Sequence, residues 1–191
     1  MALQEFGLFI SSWLRSPMQV GAVTPSSDAL ARAMAREIDS KEEGVIVELG
    51  PGTGAVTRAL LHHGIAAERL LLVERDPHFC HLLHGRFPDV RVLQGDASKL
   101  GKLLKDAGVP KVSAVVSSLP LLSLGISLQR EILRESFRIL DGDGGSFIQF
   151  TYGLGSPVHP VLQRRLGLTG QPVARVLWNI PPAVVWRYGK A

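Results

Sequence analysis

The stretch Val45 to Gly54 reads V-I-V-E-L-G-P-G-T-G, an apolar run ending in an acid and three glycines spaced two apart, where a helix-like segment begins. Gly50 and Gly52 allow a tight strand-to-loop reversal and let a ligand approach bare backbone, while Gly54 lets the next helix pack close to the sheet. Pro51 and Thr53 complete the turn. A dinucleotide site runs G-x-G-x-x-G and sets a pyrophosphate at the helix N-terminus. Here the order is E-x-G-x-G-x-G, and a carboxylate at Glu48 would repel phosphate and suit a cationic partner. A second run, Arg69 to Glu74, ends in an acid followed by Arg75, about 20 residues past the glycines, where an open α/β site holds ribose hydroxyls. A third, Val90 to Gly95, leads into Asp96-Ala97, whose carboxylate can accept a hydrogen bond from an exocyclic amine such as adenine N6. Ordinary loops carry glycines and acids too. Three acids closing three successive strands are what a ligand crevice at the C-terminal ends of such a sheet requires.

Those strands belong to a longer alternation: strands 45–49, 69–74, 90–95, 111–118 and 145–152, with helices 54–63, 76–86, 98–106 and 127–140 between them. This length of alternation predicts a parallel sheet with right-handed crossovers. Thr24-Pro25 reads as an N-cap with proline at the first helical position, opening a helix to about Asp39. Asp141 to Gly145 is the turn before the fifth strand, and two last strands, about 172–179 and 183–188, are joined by Pro181-Pro182. That link is too short for a crossover helix, so they must pair antiparallel.

The chain has 191 residues, 46% apolar and 20% charged, which suits one globular domain, with residues 1–40 as a helical cap and 41–191 as the core. Its one cysteine, Cys80, excludes an internal disulfide and has no metal-ligand spacing around it, as fits a reducing cytosol. His62, His63, His78, His81 and His84 share helix faces but have no carboxylate or thiolate cluster to complete a metal site, so they read as solvated helix residues. No run approaches the roughly 18 apolar residues that span a bilayer, and the first residues lack the basic stretch and cleavage signal expected of a secretory leader. The net charge of +4 is asymmetric: residues 1–150 hold 16 basic and 17 acidic side chains, whereas 151–191 hold five basic ones and no acid. A basic face of this kind attracts either phosphodiester backbones or acidic lipid headgroups.

Residues 1–15 project Leu3, Phe6, Phe9, Ile10, Trp13 and Leu14 onto one helical face, opposite Gln4, Glu5, Ser11 and Ser12, with Leu8 as the exception. Such a segment either covers a core or lies in a membrane interface, with Phe6, Phe9, Ile10 and Trp13 as the contacts.

The E-x-G-x-G-x-G turn resembles motif I of the class I S-adenosylmethionine-dependent methyltransferases. That resemblance implies a Rossmann-like, mostly parallel seven-stranded α/β sheet with one antiparallel strand. It also implies S-adenosylmethionine as cofactor, held by Glu48, Gly50, Pro51, Gly52, Thr53, Gly54, Glu74, Arg75, Asp96, Ala97 and Ser117. Further stretches narrow the family: F-I-S-S-W-L-R-S-P-M-Q-V-G-A-V-T-P-S-S (Phe9 to Ser27), S-S-L-P-L-L-S-L (Ser117 to Leu124), Q-F-T-Y-G (Gln149 to Gly153), S-P-V (Ser156 to Val158) and V-W-R-Y (Val185 to Tyr188). Together they resemble the bacterial phospholipid N-methyltransferases, which convert phosphatidylethanolamine to its N-methylated derivatives and phosphatidylcholine. The related ornithine-lipid methyltransferases share much of the pattern. This resemblance implies a phospholipid substrate, no nucleic acid, a monomer, and a cytoplasmic enzyme held peripherally on an anionic inner-membrane surface.

Ribosomal RNA adenine dimethyltransferases are a rival resemblance. They carry N-L-P-Y after the fourth strand, where an amide accepts from the target amine and the ring stacks on a flipped base. Here Ser118-Leu119-Pro120-Leu121 stand instead, without amide or ring, and the aliphatic pair Leu121-Leu122 can line an acyl-chain or headgroup entrance. A module that binds cofactor without turnover is a third reading, against which the intact motif I, Glu74 and Asp96 weigh.

Direct methyl transfer needs the amine neutral. Tyr152 and His159 are the candidate proton acceptors, and Tyr152 also offers a π-face to a methylated ammonium. Arg164, Arg165 and Arg187 are the expected phosphate contacts, by charge and position.

Overall fold

A computed structural model describes residues 27–109, 111–140, 145–153, 155–177, 179 and 181–191. Phe6, Phe9, Ile10 and Trp13, the expected membrane contacts, lie outside these residues, as do Thr24, Pro25 and most of the Asp141 to Gly145 turn.

The elements run α1 (Asp28–Ala35), β1 (Val45–Leu49), α2 (Ala55–His62), β2 (Leu70–Glu74), α3 (Pro77–Arg86), β3 (Arg91–Gln94), α4 (Leu100–Asp106), β4 (Val112–Ser117), α5 (Ile126–Ile139), β5 (Ser146–Thr151), α6 (Pro160–Leu166), β6 (Leu168–Val176) and β7 (Ala183–Lys190). The seven strands form one sheet in the order β3-β2-β1-β4-β5-β7-β6. β1 to β5 are mutually parallel, and β7 runs antiparallel to both β5 and β6. β6 therefore points the same way as β1 to β5, and β7 is the antiparallel strand expected from the sequence.

Both faces of the sheet are covered, which is why its central strands read as continuous apolar runs rather than alternating ones. On one face Leu30 and Met34 of α1, Leu60 of α2 and Leu83 of α3 pack on Ile46, Leu72, Val116 and Ile148. On the other, Leu100 and Leu104 of α4, Leu133 and Phe137 of α5 and Leu162 of α6 pack on Val47, Leu71, Val115, Phe147 and Tyr188. The Tyr188 ring meets Phe147 edge-on and stacks with Trp186, and its hydroxyl bonds Ser156 Oγ at 2.7 Å. Burial pushes that phenol up to about 12.

Two expectations need correction. α1 opens at Ser27, whose hydroxyl accepts from Leu30 N at 3.3 Å, and it ends at Ala35, short of Asp39. β6 starts four residues before the expected 172, because Pro172 marks no boundary on an edge strand that is paired on one side only. The register slips between Pro172 and Ala174, as the missing N–H allows. α6 occupies residues to which the sequence reading assigns no element; it has proline at its first position and Gly167 in left-handed geometry (φ 60°) past its end, the start and stop signals of a short helix.

Gly170 of β6 lies against the Tyr188 ring, and a Cβ there would come within 2.2 Å of Cε1. The ring is fully buried and cannot swing away. Gly170→Ala should destabilise the protein by about 1–3 kcal/mol, as overpacking does, read from urea denaturation.

Candidate functional site

The strand order reverses between β1 and β4, and the crossovers on either side diverge there, opening a crevice at the C-terminal strand ends. Glu48 is the penultimate residue of β1 and the glycine turn follows that strand, Glu74 closes β2, Asp96 follows β3, Ser117 closes β4 with Ser118 just beyond it, and Tyr152 follows β5. The sequence-predicted cofactor residues thus come together at one end of the sheet.

The glycines divide their tasks. Gly50 (φ 64°) admits Leu119, whose Cδ2 would lie 2.5 Å from an added Cβ, and Gly54 (φ 83°) admits the Phe87 ring at 2.4 Å. No atom lies within 4 Å of the corresponding position at Gly52. Gly52 is therefore where a ligand can approach the backbone, while Gly50 and Gly54 serve packing.

Glu74 organises the turn. One carboxylate oxygen, Oε2, accepts from Gly52 N at 3.2 Å, while Oε1 accepts from Arg75 N at 2.8 Å and Asp76 N at 2.9 Å. A carboxylate offers about four lone-pair sites, so capacity for a hydroxyl donor remains. Asp96 caps the short 3-10 turn Ala97–Lys99, with Oδ1 accepting from Ser98 N at 2.9 Å. Partial burial pulls its carboxyl upward, but the Ser98 bonds and the nearby Arg75 and Lys99 outweigh that and lower it. Asp96 is ionised at neutral pH, ready to accept from an amine.

Glu48 differs from both. It is fully buried; Oε2 accepts from Thr57 Oγ1 at 2.7 Å and Oε1 has no partner. Desolvation raises its carboxyl to about 8, opposed by the Thr57 bonds and reinforced by the negative charge of Glu74. In the free protein at neutral pH this side chain is protonated.

The loop after β4 is held by two glutamines that sequence reasoning did not single out as site residues. Gln149 of β5 donates from Nε2 to Leu119 O at 2.9 Å and Phe150 O at 3.0 Å, which fixes its amide orientation. Gln129 of α5 donates from Nε2 to Leu121 O at 2.9 Å, and its Oε1 accepts from His159 N at 3.0 Å. One buried amide thereby couples the loop after β4 to the loop after β5. The signal for Gln129 was available: a polar residue three before Ile132 and four before Leu133, on the apolar stripe of an amphipathic helix.

Tyr152 is half-buried, edge-on to Phe150 with ring centroids 5.2 Å apart. His159 is exposed and caps α6, its Nδ1 accepting from Val161 N at 3.2 Å. That bond places the neutral ring's hydrogen on Nε2.

The three expected phosphate contacts do not join the crevice. Arg164 and Arg165 are exposed on the last turn of α6, next to the start of β6, which pairs with the end of β7 at the opposite end of the sheet. Arg187 lies in mid-strand and is tied to Glu37, with Nη2 2.6 Å from its carbonyl and 3.0 Å from its carboxylate. The basic balance of residues 151–191 is therefore real but points largely away from the site. An apolar rim stands at the crevice end instead. Leu122 (64% exposed), Ile126, Leu128 and Leu177 (71% exposed) are the exposed large hydrophobics among the described residues. Leu122 is in the loop after β4, Ile126 and Leu128 open α5, and Leu177 follows β6, all at this end.

No family model matches the chain. An ornithine lipid N-methyltransferase of Singulisphaera acidiphila is 33% identical over 152 residues, 78% of this chain and 79% of that enzyme. A ribosomal RNA small subunit methyltransferase A of Chlorobium chlorochromatii is 31% identical over only 72 residues, 37% of this chain and 26% of that one. Among solved structures, a TehB-like S-adenosylmethionine-dependent methyltransferase from Corynebacterium glutamicum superposes with a TM-score of 0.60 at 17% identity, covering 95% of each chain.

Two outcomes follow from the site. A carboxyl raised by folding stabilises the protein fully below its unfolded value and loses that contribution as pH climbs toward the folded one. For Glu48 the window is about pH 5 to 8. Glu48→Gln should therefore gain stability relative to the native protein across that window, by at most about 1.4 kcal/mol per pH unit, in urea titrations of the free protein. Gln129→Leu strands Leu121 O and His159 N and should cost about 1–3 kcal/mol, with hydrogen exchange rising at residues 119–122 and 157–161 together.

Proposed function

Because the chain belongs to the class I S-adenosylmethionine-dependent methyltransferases, in the family of the ornithine lipid N-methyltransferase, we propose that it methylates the headgroup amine of a membrane lipid. Phosphatidylethanolamine, carried through its mono-, di- and trimethylated products to phosphatidylcholine, is the substrate suggested by the sequence motifs. An ornithine lipid is the one suggested by the 33% identical relative. Both present an amine at the end of an acyl-bearing molecule.

The observation that carries the lipid reading is the apolar rim. A water-soluble acceptor gives no reason to expose Leu122, Ile126, Leu128 and Leu177 at the same end of the sheet as the glycine turn, whereas an acceptor embedded in a bilayer has to be met by a surface that tolerates hydrocarbon. Among the described residues no helix is long and apolar enough to cross a membrane. Nucleic acid fits less well: Ser118-Leu119-Pro120-Leu121 offers no ring to stack on a flipped base, and Arg164 and Arg165 face away.

The donor set fits the cofactor. Glu74 and Asp96 present carboxylates for ribose hydroxyls and an adenine amine, Gly52 leaves backbone open, and Glu48 holds an unpartnered oxygen for the cationic end. Bound S-adenosylmethionine supplies an activated methyl group on a sulfonium. What the chain must do is hold the acceptor nitrogen in line with it, which the doubly pinned loop Ser118 to Leu121 accomplishes from below. The amine must also be neutral. An alkylammonium is only ~0.1% neutral at pH 7, a handicap of about 4 kcal/mol, which the apolar entrance reduces by desolvating the charge. Tyr152 lies where its ring can face the ammonium.

Labelled methyl transfer to vesicles of phosphatidylethanolamine or of ornithine lipid, each mixed with anionic lipid, and to unmodified small-subunit RNA tests the assignment. Label is expected in lipid and lost in Glu74→Ala; label in RNA alone overturns the reading. Leu177→Asp should lower transfer to vesicles about tenfold or more, the worth of burying one leucine, and should lower transfer to dissolved short-chain lipid less.

A further inference from the structure

We propose that Glu48 is a proton-exchanging anchor: it is neutral in the free protein, ionises when the cationic cofactor binds, and releases its proton to solvent, so that cofactor binding and proton release are one event. The proposal rests on the family's cofactor and not on the identity of the methyl acceptor.

The geometry leaves the free carboxyl little choice. Glu48 is fully buried, and Thr57 Oγ1 donates to Oε2 while Oε1 meets no donor. An ionised carboxylate would therefore expose a bare, desolvated oxygen to the protein interior, which is costly without a paired charge. No described cation supplies one. β2 contributes only the negative charge of Glu74. The β4 residues alongside, Val116 and Ser117, carry no charge. On α2 the nearest cation, Arg58, is exposed and ion-paired to Asp28 of α1 at 2.9 Å. A proton on the carboxyl resolves the problem in the free protein, and burial alone is enough to keep it there at neutral pH.

A ligand bearing a fixed positive charge reverses this balance. Only one bond breaks, the carboxyl O–H; its electrons stay on the carboxylate, and the proton leaves to buffer. Affinity for the cofactor should consequently rise about tenfold per pH unit below the titration of Glu48 and level off above it. The methyl transfer itself removes the sulfonium charge, so S-adenosylhomocysteine retains only its ammonium to hold the carboxylate.

Isothermal titration of the full chain at pH 6.5, where the ligand's α-amino group is still protonated, in buffers of differing ionisation enthalpy, counts the protons. Roughly one proton released per S-adenosylmethionine is expected, with none for uncharged adenosine and none in Glu48→Gln. S-adenosylhomocysteine reports which charge acts: release equal to the parent assigns it to the ammonium, and smaller release assigns part of it to the sulfonium. Infrared difference spectra of the native protein with isotope-labelled glutamate give a readout independent of the variant, with a protonated carboxyl band expected to vanish on binding as a carboxylate band appears. A heat that does not depend on buffer, a release that persists in Glu48→Gln, or an unchanged carboxyl band overturns the proposal. Each can occur whether the acceptor is lipid or RNA, because no acceptor is present.

Discussion

Everything at the candidate site depends on how β1 ends. It is buried on both faces and flanked by parallel strands on both sides, with Val47 aligned to Leu71 and to Val115, so the chain leaving it has no room to turn except upward through the glycine loop. Glu48 is the last polar group before that exit, and its bond to Thr57 joins the strand to the helix that follows. The loop between them is then clamped from three sides: Glu74 from β2, Leu119 from the turn after β4, and Phe87 from the end of α3. A crevice with such a floor is preformed. It requires no folding of its own when a ligand arrives, and this reduces the entropic cost of binding.

The acceptor side is built on a different principle. Where the cofactor side uses backbone amides and carboxylates, the loops after β4 and β5 are fixed by neutral side-chain amides from deep positions, Gln129 and Gln149. Neutral amides satisfy these backbone groups without adding a carboxylate, which beside the proposed acceptor would favour the ammonium over the neutral amine.

Much of this was legible in the sequence, for a physical reason. β1, β2, β4 and β5 fall within one residue of their expected bounds because a strand covered on both faces must be apolar along most of its length. Reading failed where local signals and tertiary context disagree. Pro172 suggests a boundary, yet an edge strand absorbs it; seven residues of α6 carry too little periodicity to outweigh a Gly-Pro-rich neighbourhood. Arg164, Arg165 and Arg187 show a harder limit. Composition records the sign of a charge but not which end of the sheet it occupies, and Arg187 is already engaged by a residue 150 positions away. The roles of Gln129 and Gln149 depend on such distant partners as well.

The sheet has two open edges, and they differ in kind. β3 is four residues long, too short to offer much of a ladder. β6 runs nine residues and would be a ready template for strand addition, but Pro172 removes a donor from its middle and the register slip beside it bends the row of peptide groups out of line. The same interruption that hid this strand from the sequence reading therefore acts as a guard against runaway self-assembly: a protein with an apolar rim at one end keeps its longest exposed edge unfit for stacking into a continuous sheet.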